Sequence, residues 1–314
     1  MKRRNLLQAA AATTLTWGLA ARPLAAQSTD KRLFTMDLCP GRIGVQADQL
    51  ESIELAAEFG FESVEPMDSY LVTLGQSRLA ELQQELQQKS LAWGAAGLSV
   101  DFRKDDAKFD AGLAQLPKIA KALSAAGVKR IGTHISPASD DLTYLANFKQ
   151  HANRLRQVAV ILGEHQLRLG LEYVGPRTSW TRRRYAFIHS LIETQELLTE
   201  IGCDNLGIVL DSWHWYTAEE DIVALQSLTK NDVVAVDLND APAGIPVAEQ
   251  IDNRRELPMA TGVIDTKSFL AALISMGYDG PVRAEPFNQE LNKLDDSAAV
   301  KETATAMKRA FALA

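Results

Sequence analysis

Four short apolar segments in the second half of the chain each end in a carboxylate: LRLGLEYVG with Glu172, LGIVLDSWHW with Asp211, VVAVDLND with Asp237 and PVRAEPF with Glu285. If these segments are parallel strands of one barrel, their C-terminal ends converge on a common mouth and bring the acids together. Desolvation and mutual repulsion then oppose ionisation of all four, and a divalent cation relieves both. Oxygen donors of this kind suit a hard ion such as Mn²⁺ or Mg²⁺ better than a thiophilic one. A single strand-end acid reads more simply as a helix cap or as the partner of an arginine. Four at equivalent positions on consecutive strands read as a metal centre, with Glu172, Asp211, Asp237 and Glu285 as its candidate ligands.

Other residues fall near the same mouth. His214 lies three residues beyond Asp211, where an imidazole can bond a substrate oxygen or act as a further ligand. His134 ends the segment RIGTH, and Glu65 closes VEP, where Pro66 turns the chain out of its strand. Both are candidate substrate-binding groups. Arg255 sits in IDNRRELPMATGVID, a long connection of the kind that covers or positions a ligand. Trp180 and Trp213 follow two of the acid-tipped segments, and aromatic faces complement the apolar faces of sugar rings. The run Arg182-Arg183-Arg184 reads as a solvated face.

The elements that must position these residues alternate strand and helix from Leu33 to the end. Strands are expected at Leu33–Cys39, Phe61–Pro66, Leu91–Leu98 and Val128–Ile135, followed by the four acid-tipped segments. Helices are expected at Asp48–Phe59, Ser77–Lys89, Phe109–Ala126, Leu142–Leu162, Phe187–Ile201, Glu219–Leu228, Thr266–Met276 and Ser297–Phe311. Glycine follows a helix and precedes a strand in FGFESV, AAGVKRI, IGCDNLGIV and MGYDGPV. Eight such units make a single (β/α)8 TIM barrel, placed here at residues 33–314. An open doubly wound sheet would want a glycine-rich turn after the first strand, and CPGRIG is not one, so no nucleotide cofactor is expected.

At 314 residues and 46% hydrophobic composition the chain can fill the core of one large barrel. A net charge of −7 disfavours a nucleic-acid partner. Cys39 and Cys203 fall on separated elements and read as small buried residues, not a disulfide. The start, MKRRNLLQAAAATTLTWGLAARPLAAQS, has the three parts of an export signal, and Arg3-Arg4 marks the twin-arginine type. Its apolar stretch is too short and too weak for a membrane span. The expected organisation is a signal over 1–26, a linker over 27–32 and a soluble periplasmic or extracytoplasmic barrel, with a homo-oligomer compatible with the sequence.

These motifs resemble the xylose isomerase-like TIM barrels of the sugar phosphate isomerase/epimerase family, nearest to the inosose isomerase branch. The resemblance covers Leu33 to Leu313 and is most specific in LEYVGP, LGIVLDSWHWY, DLNDAP, ELPMATGVID and VRAEPF. It implies that Glu172, Asp211 and Glu285 are ligands, that His214 contacts substrate and that Arg255 is the family's loop arginine. Two departures stand out. Asp237 occupies the place of the family's metal-binding histidine, which adds a negative charge and favours harder metals, and LPMATG replaces an LPG-type turn.

The implied activity is metal-dependent isomerisation, epimerisation or dehydration of a free sugar, keto-sugar or cyclitol. A proton next to a carbonyl would leave through a metal-bound enediolate, with Glu172 and Glu285 as base and acid and His214 on the oxygen that gains charge. Two rivals are a phosphodiesterase of the endonuclease IV type and an exported sugar-binding protein without turnover. The first uses several metal-bound histidines, and this chain has only five in all, three of them expected on helices. Mass spectrometry of exported protein is expected to show a form that lacks residues 1–26, whereas an intact Met1 overturns the export reading.

Overall fold

The computed structural model describes residues 31–314, so the expected signal over 1–26 lies outside the described residues. The strands in chain order are β1 (Thr35–Leu38), β2 (Ser63–Val64), β3 (Ala92–Trp93), β4 (Ala95–Gly97), β5 (Arg130–His134) and β6 (Ala138–Ser139). They continue with β7 (Arg168–Glu172), β8 (Tyr185–Ala186), β9 (Leu206–Asp211), β10 (Val233–Leu238) and β11 (Pro281–Ala284). Nine of them form one parallel sheet in the order β3-β2-β1-β11-β10-β9-β7-β5-β4, while β6 and β8 make a small antiparallel clip. The two end strands belong to one stretch of chain, interrupted at Gly94: β3 pairs with β2 and β4 pairs with β5. The sheet is therefore nearly closed, with helices alternating along the chain, a single TIM-barrel-like α/β fold.

The interruption at Gly94 corrects the continuous strand expected over Leu91–Leu98: the stretch changes partner there, from β2 to β5. A Cβ on Gly94 would lie 2.3 Å from Oδ1 of Asp37, so the carboxylate occupies the place of a side chain. Helix boundaries also shift where caps decide them. The helix expected from Phe187 begins at Leu191, because the Ser190 side chain accepts from Glu193 N–H and ends the preceding extended run. As a result His189 precedes the helix on which it was expected. The helix expected over Glu219–Leu228 shortens to Ile222–Gln226, capped by Asp221. Ser212–Thr217, which follows the acid-tipped strand, is a helical turn capped by Asp211. Cys39 and Cys203 are both free thiols. Among the described residues no helix is long and apolar enough to cross a membrane.

Apolar packing falls into two unequal parts. A large cluster includes Leu38, Ile53, Leu82, Leu155, Leu171, Trp213 and Phe269 from strands and helices, and a small separate one holds only Ala95, Val209 and Ala235. Small residues leave room inside the barrel: a Cβ on Gly132 would lie 3.1 Å from Val209 Cγ2 and 3.9 Å from Arg283 Nη2. Arg283 is in register with Asp37 on one side and with Asp237 on the other, so three neighbouring strands set Asp, Arg and Asp at one level.

Asp37 is 1% exposed, and neither of its carboxylate oxygens has a hydrogen-bond partner. Burial pushes its pKa up to about 7, with Arg283 opposing. Between about pH 4, where an unfolded aspartate titrates, and pH 7 the folded chain keeps a proton that the unfolded chain releases. Stability therefore falls through that window as pH rises. Asp37→Asn imitates the protonated form, so it should match the wild type in acid and exceed it by on the order of 4 kcal/mol at pH 8. Urea unfolding at a series of pH values checks this, and parallel curves for the two proteins would refute it.

Candidate metal centre

The barrel brings the four acids together as their strand-end positions require. Glu172 and Asp211 close β7 and β9, Asp237 is the penultimate residue of β10, and Glu285 follows β11. All four are buried, and one oxygen from each lies within 4.8 Å of the others. Glu172, Asp211 and His214 form a second set within the same limit.

Local hydrogen bonds fix this arrangement. Asp211 Oδ1 accepts from Trp213 N–H at 2.7 Å and from Asn239 Nδ2 at 3.1 Å, while Oδ2 accepts from Arg255 Nη1 at 2.8 Å. The cap starts the turn Ser212–Thr217, and that turn carries His214 back over the acids. Its Nε2 lies 3.7 Å from Asp211 Oδ2 and 3.8 Å from Glu172 Oε1. Asn239 also accepts from Glu285 N–H at 2.9 Å, so one amide ties the second ligand strand to the fourth.

Both ring nitrogens of His214 face donors. Gly175 N–H lies 3.2 Å from Nδ1 and Arg255 Nη2 lies 3.2 Å from Nε2, although a neutral imidazole accepts at only one nitrogen. Burial holds the imidazole pKa below its ordinary value despite the pull of Asp211, which keeps the ring neutral. His214 is therefore held between Gly175 and Arg255, with Nε2 turned toward the carboxylates.

Charge compensation is uneven around the ring of acids. Arg255 is 2% exposed, and its Nη1 donates to both Asp211 and Glu285 at 2.8 Å, while its Nη2 donates to Asp252 at 2.7 Å. Arg42 reaches Glu285 from the short helix Pro40–Ile43. Arg283 clamps Asp237 from below, Nε to Oδ1 at 2.5 Å and Nη2 to Oδ2 at 3.2 Å. Burial alone would raise the Asp237 pKa, but Arg283, followed by Arg42 and Arg255, holds it below the usual carboxylate value. Glu172 has no such neighbour. Its Oε1 is buried without a hydrogen-bond partner, and burial, then Asp237 and Asp211, push its pKa well above the ordinary value.

These residues fit a divalent cation. The donors are hard oxygens, they converge from separate strands, and the orphaned Glu172 Oε1 lacks the positive partner that a buried carboxylate demands. Glu172, Asp211, Asp237 and Glu285 would hold such an ion, with His214 at their edge.

Other expected site residues divide. His134 pairs with Glu172 across β5 and β7 and is exposed at its strand end. Glu65 accepts from the Cys39 thiol at 2.9 Å. Trp180 stacks on His189 with ring centroids 4.7 Å apart. Arg255, expected to bond substrate, turns its guanidinium onto the candidate ligands Asp211 and Glu285. One expectation needs correction. Trp213, expected as a sugar platform, is 0% exposed because its helical turn packs it inward, with Arg255 above its ring.

Sequence reasoning missed Arg42, Asn239, Asp252 and Arg283. Strand alternation could have found two of them, since Arg283 stands two residues before Glu285 and Asn239 two after Asp237. It also missed Asp240, which orders the LPMATG connection by accepting from the N–H groups of Thr261 at 2.9 Å, Gly262 at 2.6 Å and Ile264 at 3.0 Å.

Residues 53–310 match the family model described as Xylose isomerase-like TIM barrel. The inosose isomerase of Bacillus velezensis is 22% identical over 255 residues, 80% of this chain and 88% of that protein. The 3-dehydroshikimate dehydratase of Pseudomonas putida is 29% identical over 129 residues, 41% of this chain, and the match spans only 20% of that enzyme. The solved structure of IOLI protein with a binding zinc atom superimposes with a TM-score of 0.72 at 19% identity, covering 88% of this chain and 98% of that one.

Removing the charge of Arg255 should expose the repulsion it offsets. In EDTA, Arg255→Met is expected to lose about 3–5 kcal/mol of stability in urea unfolding, the cost of an uncompensated buried charge. Excess Mn²⁺ should restore much of it by binding the folded state alone. An equal loss with and without Mn²⁺ would show that Arg255 stabilises by packing and not by charge.

Proposed function

Because the chain belongs to the xylose isomerase-like TIM-barrel family, we propose that it is a divalent-metal-dependent isomerase, epimerase or dehydratase of an unphosphorylated sugar, keto-sugar or cyclitol. The observation that carries this reading is the buried set Glu172, Asp211, Asp237 and Glu285 with a neutral histidine against it. Relatives named for isomerisation and for dehydration support the class, since both reactions can begin by loss of a proton next to a carbonyl. The zinc named with the IOLI structure supports a metal at this rim. An extracytoplasmic location, proposed from Arg3-Arg4 and the apolar stretch after them, favours a substrate without phosphate.

A bound divalent cation would supply Lewis-acid charge beside the carbonyl and acidify the neighbouring C–H bond. The chain's own residues then divide the proton work. Glu172, whose pKa is raised by burial and by its acidic neighbours, has the proton affinity of a general base. Glu285, held through its backbone by Asn239, returns a proton from its own strand end. His214, anchored at Nδ1 by Gly175, turns Nε2 toward the oxygen on which negative charge develops.

Incubation of a panel of unphosphorylated keto-sugars and inososes with Mn²⁺ in D₂O is expected to place deuterium on the carbon next to the carbonyl, read by NMR. Glu172→Gln and Glu285→Gln should each slow exchange by about 10²–10⁴-fold, the usual contribution of a positioned acid or base. The reading fails if no substrate exchanges, or if Glu285→Gln exchanges as fast as the wild type.

A further inference from the structure

Three guanidiniums face the four acids, but they are not equivalent. Arg42 comes from the short helix Pro40–Ile43 and keeps its side chain 34% exposed, and Arg255 comes from the long connection after β10. Both belong to surface connections. Arg283 instead grows from β11, is 3% exposed, and lies in register with Asp237 on the adjacent strand. It grips both Asp237 oxygens through Nε and Nη2, the fork geometry in which guanidinium and carboxylate match best. Its surroundings leave it little freedom. Asp37 flanks it on β1, and the glycine at 132 clears the space that its Nη2 approaches. Of the three cations, only Arg283 is built into the barrel wall.

We propose that Asp237 and Arg283 act as one electrically neutral unit of the metal centre. The inference rests on the metal reading above and deepens it. Arg283 is a positioning residue: it fixes the carboxylate of Asp237 and cancels its charge, so that Asp237 adds no net charge to what the centre presents to a cation. An aspartate here without its arginine would add a fourth buried negative charge, and an arginine without its aspartate would leave a buried cation facing the incoming metal.

The test is a double-mutant cycle read as Mn²⁺ affinity, with free Mn²⁺ measured by EPR and folding checked by circular dichroism. Asp237→Asn should weaken Mn²⁺ binding at least tenfold, because Arg283 is then uncompensated. Arg283→Met should tighten it at least tenfold. The double variant restores the net charge and should return to within about threefold of the wild type. Arg283→Lys, which keeps the charge and loses the fork, should also stay within about threefold, and together with the double variant it decides the matter if Arg283→Met does not fold. A double variant as weak as Asp237→Asn alone overturns the neutral pair while leaving the metal reading intact. Wild-type protein that takes up no Mn²⁺ overturns the metal reading and, with it, the pair's role.

Discussion

Repulsion among four buried carboxylates is the constraint around which the rest of this structure is arranged. Two like charges about 4–5 Å apart cost roughly 3–4 kcal/mol at an effective dielectric constant near 20. Several such pairs together exceed the whole stability of an ordinary domain. The surrounding groups answer this directly. Arg42 and Arg255 approach Glu285, Arg255 also Asp211, Arg283 approaches Asp237, and His214 stays neutral among them. Burial and the neighbouring acids raise the proton affinity of Glu172, with which no arginine pairs.

Hydrogen bonds to the backbone convert that electrostatic problem into a defined geometry. Asp211 caps the turn that carries His214, and Gly175 fixes the orientation of that ring. Asn239 links Asp211 to the strand of Glu285 with one amide, and Asp240, its neighbour in sequence, orders the connection after it. Such contacts hold the reacting groups before any ligand arrives, which is the condition under which electrostatic catalysis avoids reorganisation. The same segment, Asp237 to Asp240, thus supplies a candidate ligand, a bridge between strands and an anchor for the loop.

What could be read from the residues alone depended on whether residue type and position coincided. Glu172, Asp211, Asp237 and Glu285 were legible because each acid interrupts an apolar strand at its end, and the barrel follows from the same alternation. The compensating arginines were less legible for physical reasons. Arg42 is far from the acids in sequence and meets Glu285 only after the barrel closes, whereas Arg283 lay in plain alternation with Glu285 and was overlooked beside it. Trp213 was misplaced because a cap at Asp211 turns the chain into a helix and points the indole inward. The need for glycine at position 94 was invisible for a similar reason, since the carboxylate that excludes a side chain there belongs to another strand.

The contrast between Glu172 and Asp237 carries the functional argument furthest. Both are buried carboxylates at the same rim, yet burial wins at one and ion pairing at the other, so their pKa values move apart. Separation of that kind assigns different tasks to chemically similar groups. Asp237, clamped on both oxygens, is suited to stay ionised and fixed. Glu172, with an unpartnered oxygen and a strong affinity for a proton, is suited to exchange one. A barrel that buried four equivalent acids could bind a cation. One that makes them unequal can also move a proton beside it.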